Sequence, residues 1–107
     1  MTIQLNTDNN LSISETFRSK LNDLLKDELE RFGDYITRLE VHLSDENGSK
    51  NTQNDKNCVL EARLAGKPPI AVTDYGNSME HAVNGAIKKL KTSLESIIGR
   101  MKKHSQH

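Results

Sequence analysis

The sequence has only one cysteine, two prolines and four aromatic residues, and each shortage limits the kinds of protein it can be. With Cys58 as the only cysteine, an intrachain disulfide is excluded and a reducing compartment is expected. No apolar run approaches the length of a membrane span, and the N-terminus lacks the features of a signal peptide, so we expect a cytoplasmic protein without membrane contact. The scarcity of aromatic residues predicts an aliphatic core.

The chain also lacks net charge, because 15 basic residues balance 15 acidic ones. The high isoelectric point typical of a nucleic-acid-binding domain is therefore absent. The charges are unevenly distributed, since residues 1–77 contain 9 Lys and Arg against 13 Asp and Glu, whereas residues 78–107 contain 6 against 2. This asymmetry indicates one face for an anionic partner, and internal charge balancing is the alternative.

The strongest pattern is helical and covers Ser78 to Lys103. Its apolar residues recur at steps of three and four, which places them in one stripe that the rest of the chain must cover. At about 1.5 Å per residue, such a helix is roughly 39 Å long. The stripe consists of Met79, Ala82, Val83, Ala86, Ile87, Leu90, Leu94, Ile97, Ile98 and Met101.

The polar side of this helix carries the main functional signal. On a helical wheel, Lys91 and Lys102 share a flank with the acids Glu80 and Glu95, whereas the remaining arc contains no acid. Small residues between the cations of that arc would let a nucleic-acid backbone come close, and a solvated charged face is the alternative. The arc contains the cations Lys88, Lys89, Arg100 and Lys103 and the small residues Gly85, Thr92, Ser96 and Gly99.

The preceding residues predict four strands and one further helix. A strand over Thr2–Leu5 leads to a helix that begins at Ser12 or Ser14 and ends at Gly33. Alternation of apolar and polar residues predicts strands over residues 36–44 and 58–64, and a last strand with Ile70 and Val72 facing inward. Asp74-Tyr75-Gly76 is predicted to turn the chain, and Asn77 or Ser78 to cap the final helix.

The order β-α-β-β-β-α predicts an α+β fold, a four-stranded mixed sheet with two helices packed on one face. Strands two to four should form an antiparallel meander, with strand one parallel to a neighbour. We expect one domain over residues 1–107, with a mobile loop at about residues 45–57 and a flexible tail at about residues 104–107. The open face of the sheet contains no aromatic pair, which argues against recognition of single strands there.

The sequence does not predict an enzyme or a binder of cofactors, metals or small-molecule substrates. Cys58 and His42 fall on opposite faces of the predicted sheet, so they cannot form a nucleophile and base pair. His104 and His107 are one helical turn apart, but they lie in the predicted tail. A glycine-rich phosphate loop and a cluster of inward carboxylates are also absent from the sequence.

Four segments carry a resemblance to a known family: Leu39-Glu40-Val41-His42-Leu43, Val59-Leu60-Glu61-Ala62-Arg63-Leu64, Val72-Thr73-Asp74, and Met79-Glu80-His81-Ala82-Val83 leading into Ile87-Lys88-Lys89-Leu90. Together they resemble the ribosome hibernation promoting factor family, also called the sigma 54 modulation protein or ribosome-associated inhibitor family. The resemblance covers about residues 2–103.

The resemblance implies the layout of a double-stranded RNA-binding domain that uses cations on its helices to bind small-subunit ribosomal RNA. It also implies blockage of the messenger and transfer RNA sites, which idles ribosomes under stress or in stationary phase. Lys89 and Arg18 match family positions, whereas Glu95 and Ser96 stand where the family often has basic residues, and Leu24 lies near an expected lysine. A homodimer is compatible with the family but not implied. The predicted RNA-binding residues are Arg18, Lys88, Lys89, Lys91, Arg100, Lys102 and Lys103.

A second hypothesis is a non-enzymatic protein-interaction or self-association module of the same fold with little RNA binding. The small residues Gly85, Ser96 and Gly99 would serve close helix packing in such a module. Salt distinguishes the two hypotheses, because phosphate contacts weaken steeply with added salt and helix packing does not.

Overall fold

A computed structural model of the chain describes residues 1–8, 11–45 and 56–105, with side chains as far as Met101. Its elements follow the predicted order, and the predicted α+β fold is confirmed. A short 3-10 turn, Glu30–Phe32, follows the first helix. The bounds are β1 (Thr2–Thr7), α1 (Glu15–Glu28), β2 (Ile36–Asp45), β3 (Lys56–Leu64), β4 (Ile70–Gly76) and α2 (Met79–Ser105).

The four strands form one sheet in the order β1-β2-β3-β4. β1 runs parallel to β2, while β2, β3 and β4 form the predicted antiparallel meander. β1 and β4 are therefore the edge strands, and α2 packs mainly over β3 and β4. This arrangement places the cationic helix beside one free edge of the sheet.

The core is a single aliphatic cluster between the sheet and the two helices. Each strand contributes alternate residues to it, and every member of the apolar stripe of α2 is buried or half-buried, as predicted. A register shift between Ile36 and Arg38 turns Ile36 toward the core as well. The fully buried side chains include Leu25, Leu29, Leu39, Leu43, Leu60, Leu90 and Leu94.

Serine side chains cap the N-termini of both helices, and a glycine with a positive φ lies in the turn between β3 and β4. Ser14 Oγ accepts a hydrogen bond from the Phe17 N–H at 3.0 Å, and Ser78 Oγ accepts one from the His81 N–H at 3.2 Å. Gly66 has a φ of +72° in the turn between β3 and β4, a conformation that favours glycine. Among the described residues, no helix is long and apolar enough to cross a bilayer.

Two of the predicted turn and stop signals are wrong. The predicted turn Asp74-Tyr75-Gly76 belongs to β4, because the pairing of β3 with β4 continues to the pair Lys56 and Gly76. The first helix does not run to a glycine stop: α1 ends at Glu28, and Gly33 has a right-handed φ of −58°. Burial of Leu29 and Phe32 in the core draws the intervening residues into the 3-10 turn instead.

The loop and tail predictions fall largely outside the described residues. Asp45, Lys56 and Asn57, predicted as loop, belong to β2 and β3, and an ion pair of 2.8 Å joins Lys56 Nζ to Asp45 Oδ2. α2 continues to Ser105, two residues beyond its predicted end. Residues 46–55 and 106–107 lie outside the described ranges.

The thiol of Cys58 is inaccessible in the folded protein. Its side chain is fully buried, and burial, with a smaller contribution from Asp74, raises its pKa to about 12. We expect Ellman's reagent at pH 8 to label the native protein on the order of a thousandfold more slowly than the urea-unfolded protein, because thiolate is the reactive form. Rapid labelling of the native protein would contradict this burial.

Candidate nucleic-acid interface

Ion pairs join α1 and the 3-10 turn after it to α2, and they neutralise three cations in the groove between the helices. Because each pair brings one acid and one base together, this row, the helix seam, carries no net charge. Surface pairs of this kind contribute about 0–1 kcal/mol each, so their main effect here is to neutralise. The pairs are Lys20 with Glu80 at 3.6 Å, Lys91 with Glu28 at 3.0 Å, and Arg31 with Glu95.

The helix seam explains two positions at which the sequence differs from the resembled family. Glu95 is the partner of Arg31, and Leu24 is half-buried and packs against the core on the α2 side of α1. Lys91, predicted to bind RNA, lies in the seam against Glu28. At these positions the chain binds its two helices to each other.

The opposite flank of α2 faces β4. There the structure places an acid beside the arc that the helical wheel showed without acids. Lys89 Nζ donates a hydrogen bond to the Thr73 carbonyl at 2.8 Å and lies 3.4 Å from Asp74 Oδ1. A helical wheel shows only the residues of its own helix, so it could not reveal an acid supplied by β4. The arc is free of acids within α2, but Asp74 faces Lys89 across it.

Gly85 makes room for this acid. A Cβ atom at Gly85 would overlap the carboxylate of Asp74 and lie 2.7 Å from its Cγ. The absence of a side chain therefore lets the carboxylate lie against the helix, where Asp74 Oδ1 also accepts a hydrogen bond from the Tyr75 N–H at 2.9 Å. Gly85 serves packing within the domain, so it does not offer the open surface that the sequence suggested.

Three exposed cations beside β4 lack a carboxylate partner within the part of the chain that the structure describes. Lys88 lies on the exposed side of α2, Arg100 lies about three turns further along the same helix, and Lys67 lies in the turn before β4. Arg100 donates to Ser96 Oγ at 3.3 Å, and Thr92 Oγ1 donates to the Lys88 carbonyl. We call the surface formed by Lys67, Lys88, Lys89, Thr92, Ser96 and Arg100 the β4 flank.

Of the remaining predicted RNA-binding residues, Arg18 lies away from this surface. Arg18 lies on α1 near β1, at the far side of the sheet from β4, and its Nε is 3.8 Å from Glu15 Oε1. The side chains of Lys102 and Lys103 lie outside the described part of α2. Lys67 was not predicted from the sequence, because a lone lysine before two prolines gives no signal until the fold brings it beside Arg100.

The open face of the sheet is electrically balanced. Arg63 Nε lies 3.3 Å from Glu40 and its Nη2 lies 3.4 Å from Glu61, while Arg38 pairs with Glu40 at 3.7 Å. The hydrogen bond with Glu61 and the two guanidinium groups hold the pKa of Glu40 below its ordinary value. With both signs of charge in contact, this face does not offer a surface for a polyanion.

His42 and Cys58, the one nucleophile and base pair considered from the sequence, lie apart in the structure. His42 is exposed on the open face, whereas Cys58 is buried on the helix side, which confirms that the two cannot pair. Within residues 1–8, 11–45 and 56–101, no group of three His, Cys, Asp or Glu side chains could hold a metal ion. The β4 flank is therefore the surface of interest.

The family described as sigma 54 modulation protein / S30EA ribosomal protein matches the sequence over residues 5–102. The chain belongs to this family. It is the family that the four sequence segments indicated, so that prediction is confirmed. No curated protein matches the chain in sequence.

Solved structures with the same fold support the family's architecture for this chain. A ribosomal subunit interface protein from Coxiella burnetii superimposes with a TM-score of 0.72, covering 92% of this chain and 99% of its own. The N-terminal domain of Protein Y from Thermus thermophilus gives a TM-score of 0.70, covering 91% and 99%. Both are 20% identical in sequence, so they establish the S30EA fold and leave the surface to be argued from its own residues.

Proposed function

We propose that this S30EA family member binds structured RNA of the small ribosomal subunit through its β4 flank. Bound there, it would block the messenger and transfer RNA sites and hold the ribosome idle. The family description names a ribosomal protein, and one solved structure of the same fold is that of a ribosomal subunit interface protein. These names support the ribosome as the target, and the charge distribution supports the β4 flank as the surface.

The observation that carries the proposal is the contrast among three surfaces. The helix seam and the open face of the sheet pair their cations with acids, whereas Lys67, Lys88 and Arg100 lack carboxylate partners among the described residues. Phosphate binding draws its affinity from cations that release counterions, so unneutralised cations contribute most. No base-stacking aromatics are needed for this mode, because double-stranded RNA is recognised through shape and backbone.

Lys89 is only partly available to bind phosphate. Its pair with Asp74 partly neutralises it, although both side chains retain some exposure, at 55% and 29%. Exposed pairs are weak, about 0–1 kcal/mol, so a phosphate can compete for the ammonium group. Lys89 is therefore a secondary contact, behind Lys88 and Arg100.

A salt titration tests the proposal directly. We expect the logarithm of the affinity for purified small subunits to fall linearly with the logarithm of salt concentration. The slope should be about −2.7 or steeper, since three phosphate contacts each contribute about −0.9. Co-sedimentation between 50 and 300 mM KCl measures the slope. A slope near zero would contradict phosphate binding.

One feature favours the second function, a protein-interaction module. A largely apolar hollow of about 780 Å³ lies where the end of α2 passes the turn before β4. Lys67 and Arg100 of the β4 flank line it together with Leu64, Pro68, Pro69, Ile70, Ile97 and Met101. Such a surface suits an apolar segment of another protein. In that case, binding to ribosomes would persist at high salt, because apolar contacts are not screened.

A further inference from the structure

Asp74 is the one acid that β4 directs toward the cationic flank of α2. The alternation of the strand turns Ile70, Val72 and Asp74 to the helix side, and the side chain of Asp74 is held there by the Tyr75 N–H and by the space at Gly85. Its carboxylate is therefore a fixed negative charge beside Lys89.

Lys89 would stay in place without this acid. Its Nζ donates its shorter hydrogen bond, 2.8 Å, to the carbonyl oxygen of Thr73, while Asp74 Oδ1 is more distant at 3.4 Å. Thr73 is in an edge strand, so a carbonyl that points away from β3 needs a donor from elsewhere. Removing the charge of Asp74 thus changes the electrostatics of the β4 flank more than its geometry.

We propose that Asp74 acts as a built-in competitor of RNA phosphates, neutralising Lys89 and so setting the affinity and salt sensitivity of the β4 flank. This inference rests on the proposed function, and it identifies Asp74 as a residue that lowers the affinity for RNA. A phosphate that approaches Lys89 meets the carboxylate of Asp74 within ion-pair distance of the same ammonium group. Binding through this lysine must therefore displace or tolerate a like charge, which lowers affinity.

The test is the isosteric change Asp74→Asn, which removes the charge and keeps the oxygen that accepts from Tyr75. The probe is an RNA duplex of about 20 base pairs, long enough for a double-stranded RNA-binding layout. We expect about fivefold tighter binding at low salt and a slope steeper by about 0.9, the value of one additional phosphate contact. Adding Lys89→Met to this variant should remove both gains.

The matched control is Glu28→Gln, which makes the same charge change in the pair with Lys91 on the other flank of α2. We expect its slope to equal that of the wild type. Equal gains in both variants would mean that net charge alone matters, and unchanged or weaker binding of Asp74→Asn would mean that Asp74 does not compete; either result overturns the proposal. A wild-type protein that fails to bind the duplex or small subunits overturns the proposed function and this inference together.

Thermal melts monitored by circular dichroism separate binding from folding. Asp74→Asn and Glu28→Gln should both unfold within a few degrees of the wild type, because each replaces a partly exposed carboxylate by an amide of the same shape and so removes a single ion pair. If Asp74→Asn binds more tightly with an unchanged melting temperature, its effect lies in the surface charge. If it binds no more tightly despite an unchanged melting temperature, the competitor role is overturned.

Discussion

Reversing the charge of Lys88 and Arg100 together, as Lys88→Glu with Arg100→Glu, should lower the affinity for small ribosomal subunits about a hundredfold or more at 100 mM salt. Both residues are exposed, and within the described residues neither has a carboxylate partner. The change removes two phosphate contacts and adds two repulsive charges. The salt slope should also become shallower by about 1.8, since each lost contact accounts for about 0.9.

The control for this prediction is Lys20→Glu with Lys26→Glu, the same charge change at two exposed lysines of α1, of which Lys20 belongs to the helix seam. Because α1 lies on the other side of the helix seam, we expect less than about a tenfold loss from this control. Only long-range repulsion between the new glutamates and the RNA phosphates would act there, and salt screens it. Co-sedimentation with small subunits measures both variants. Equal losses would place the RNA surface on both helices, and an unaffected Lys88 and Arg100 variant would show that the β4 flank is not the interface.

The fold could be predicted from the sequence because its signals are local and agree with one another. The stripe of α2 and the alternation around Leu39, Leu43 and Leu60 each specify a buried face, and one sheet with two helices satisfies all of them. The end of β4 could not be predicted in this way. Asp74-Tyr75-Gly76 has the composition of a turn, and only its pairing with β3 extends the strand through it.

The site was less predictable, because neutralisation of a cation depends on partners distant in sequence. On a helical wheel Lys89 looks equivalent to Lys88, yet Asp74, 15 residues away, lies beside Lys89. Lys91 shares a flank with Glu80 and Glu95 on the wheel, yet its partner is Glu28, 63 residues away. Sequence patterns place a cation on a face of its own helix. They do not indicate which face of a neighbouring element supplies an acid.

Replacing Gly85 with Ala should lower the free energy of unfolding by about 1–3 kcal/mol, the usual cost of overpacking. The expected sign is opposite to that of the same change in an open helix, where alanine gains up to about 1 kcal/mol over glycine. The reason is the carboxylate of Asp74, which occupies the space that the new methyl group needs. Urea unfolding followed by circular dichroism measures the difference.

Gly99 provides the matched control within α2, because a Cβ atom there would have no neighbour within 4 Å. Gly99→Ala should therefore raise the free energy of unfolding by about 0.5–1 kcal/mol. Combining Gly85→Ala with Asp74→Ala should recover most of the loss, since the oxygens that the methyl group meets are gone. If Gly85→Ala stabilised the protein as Gly99→Ala does, the carboxylate would not lie against the helix, and Asp74 would have no fixed position from which to compete with phosphates for Lys89.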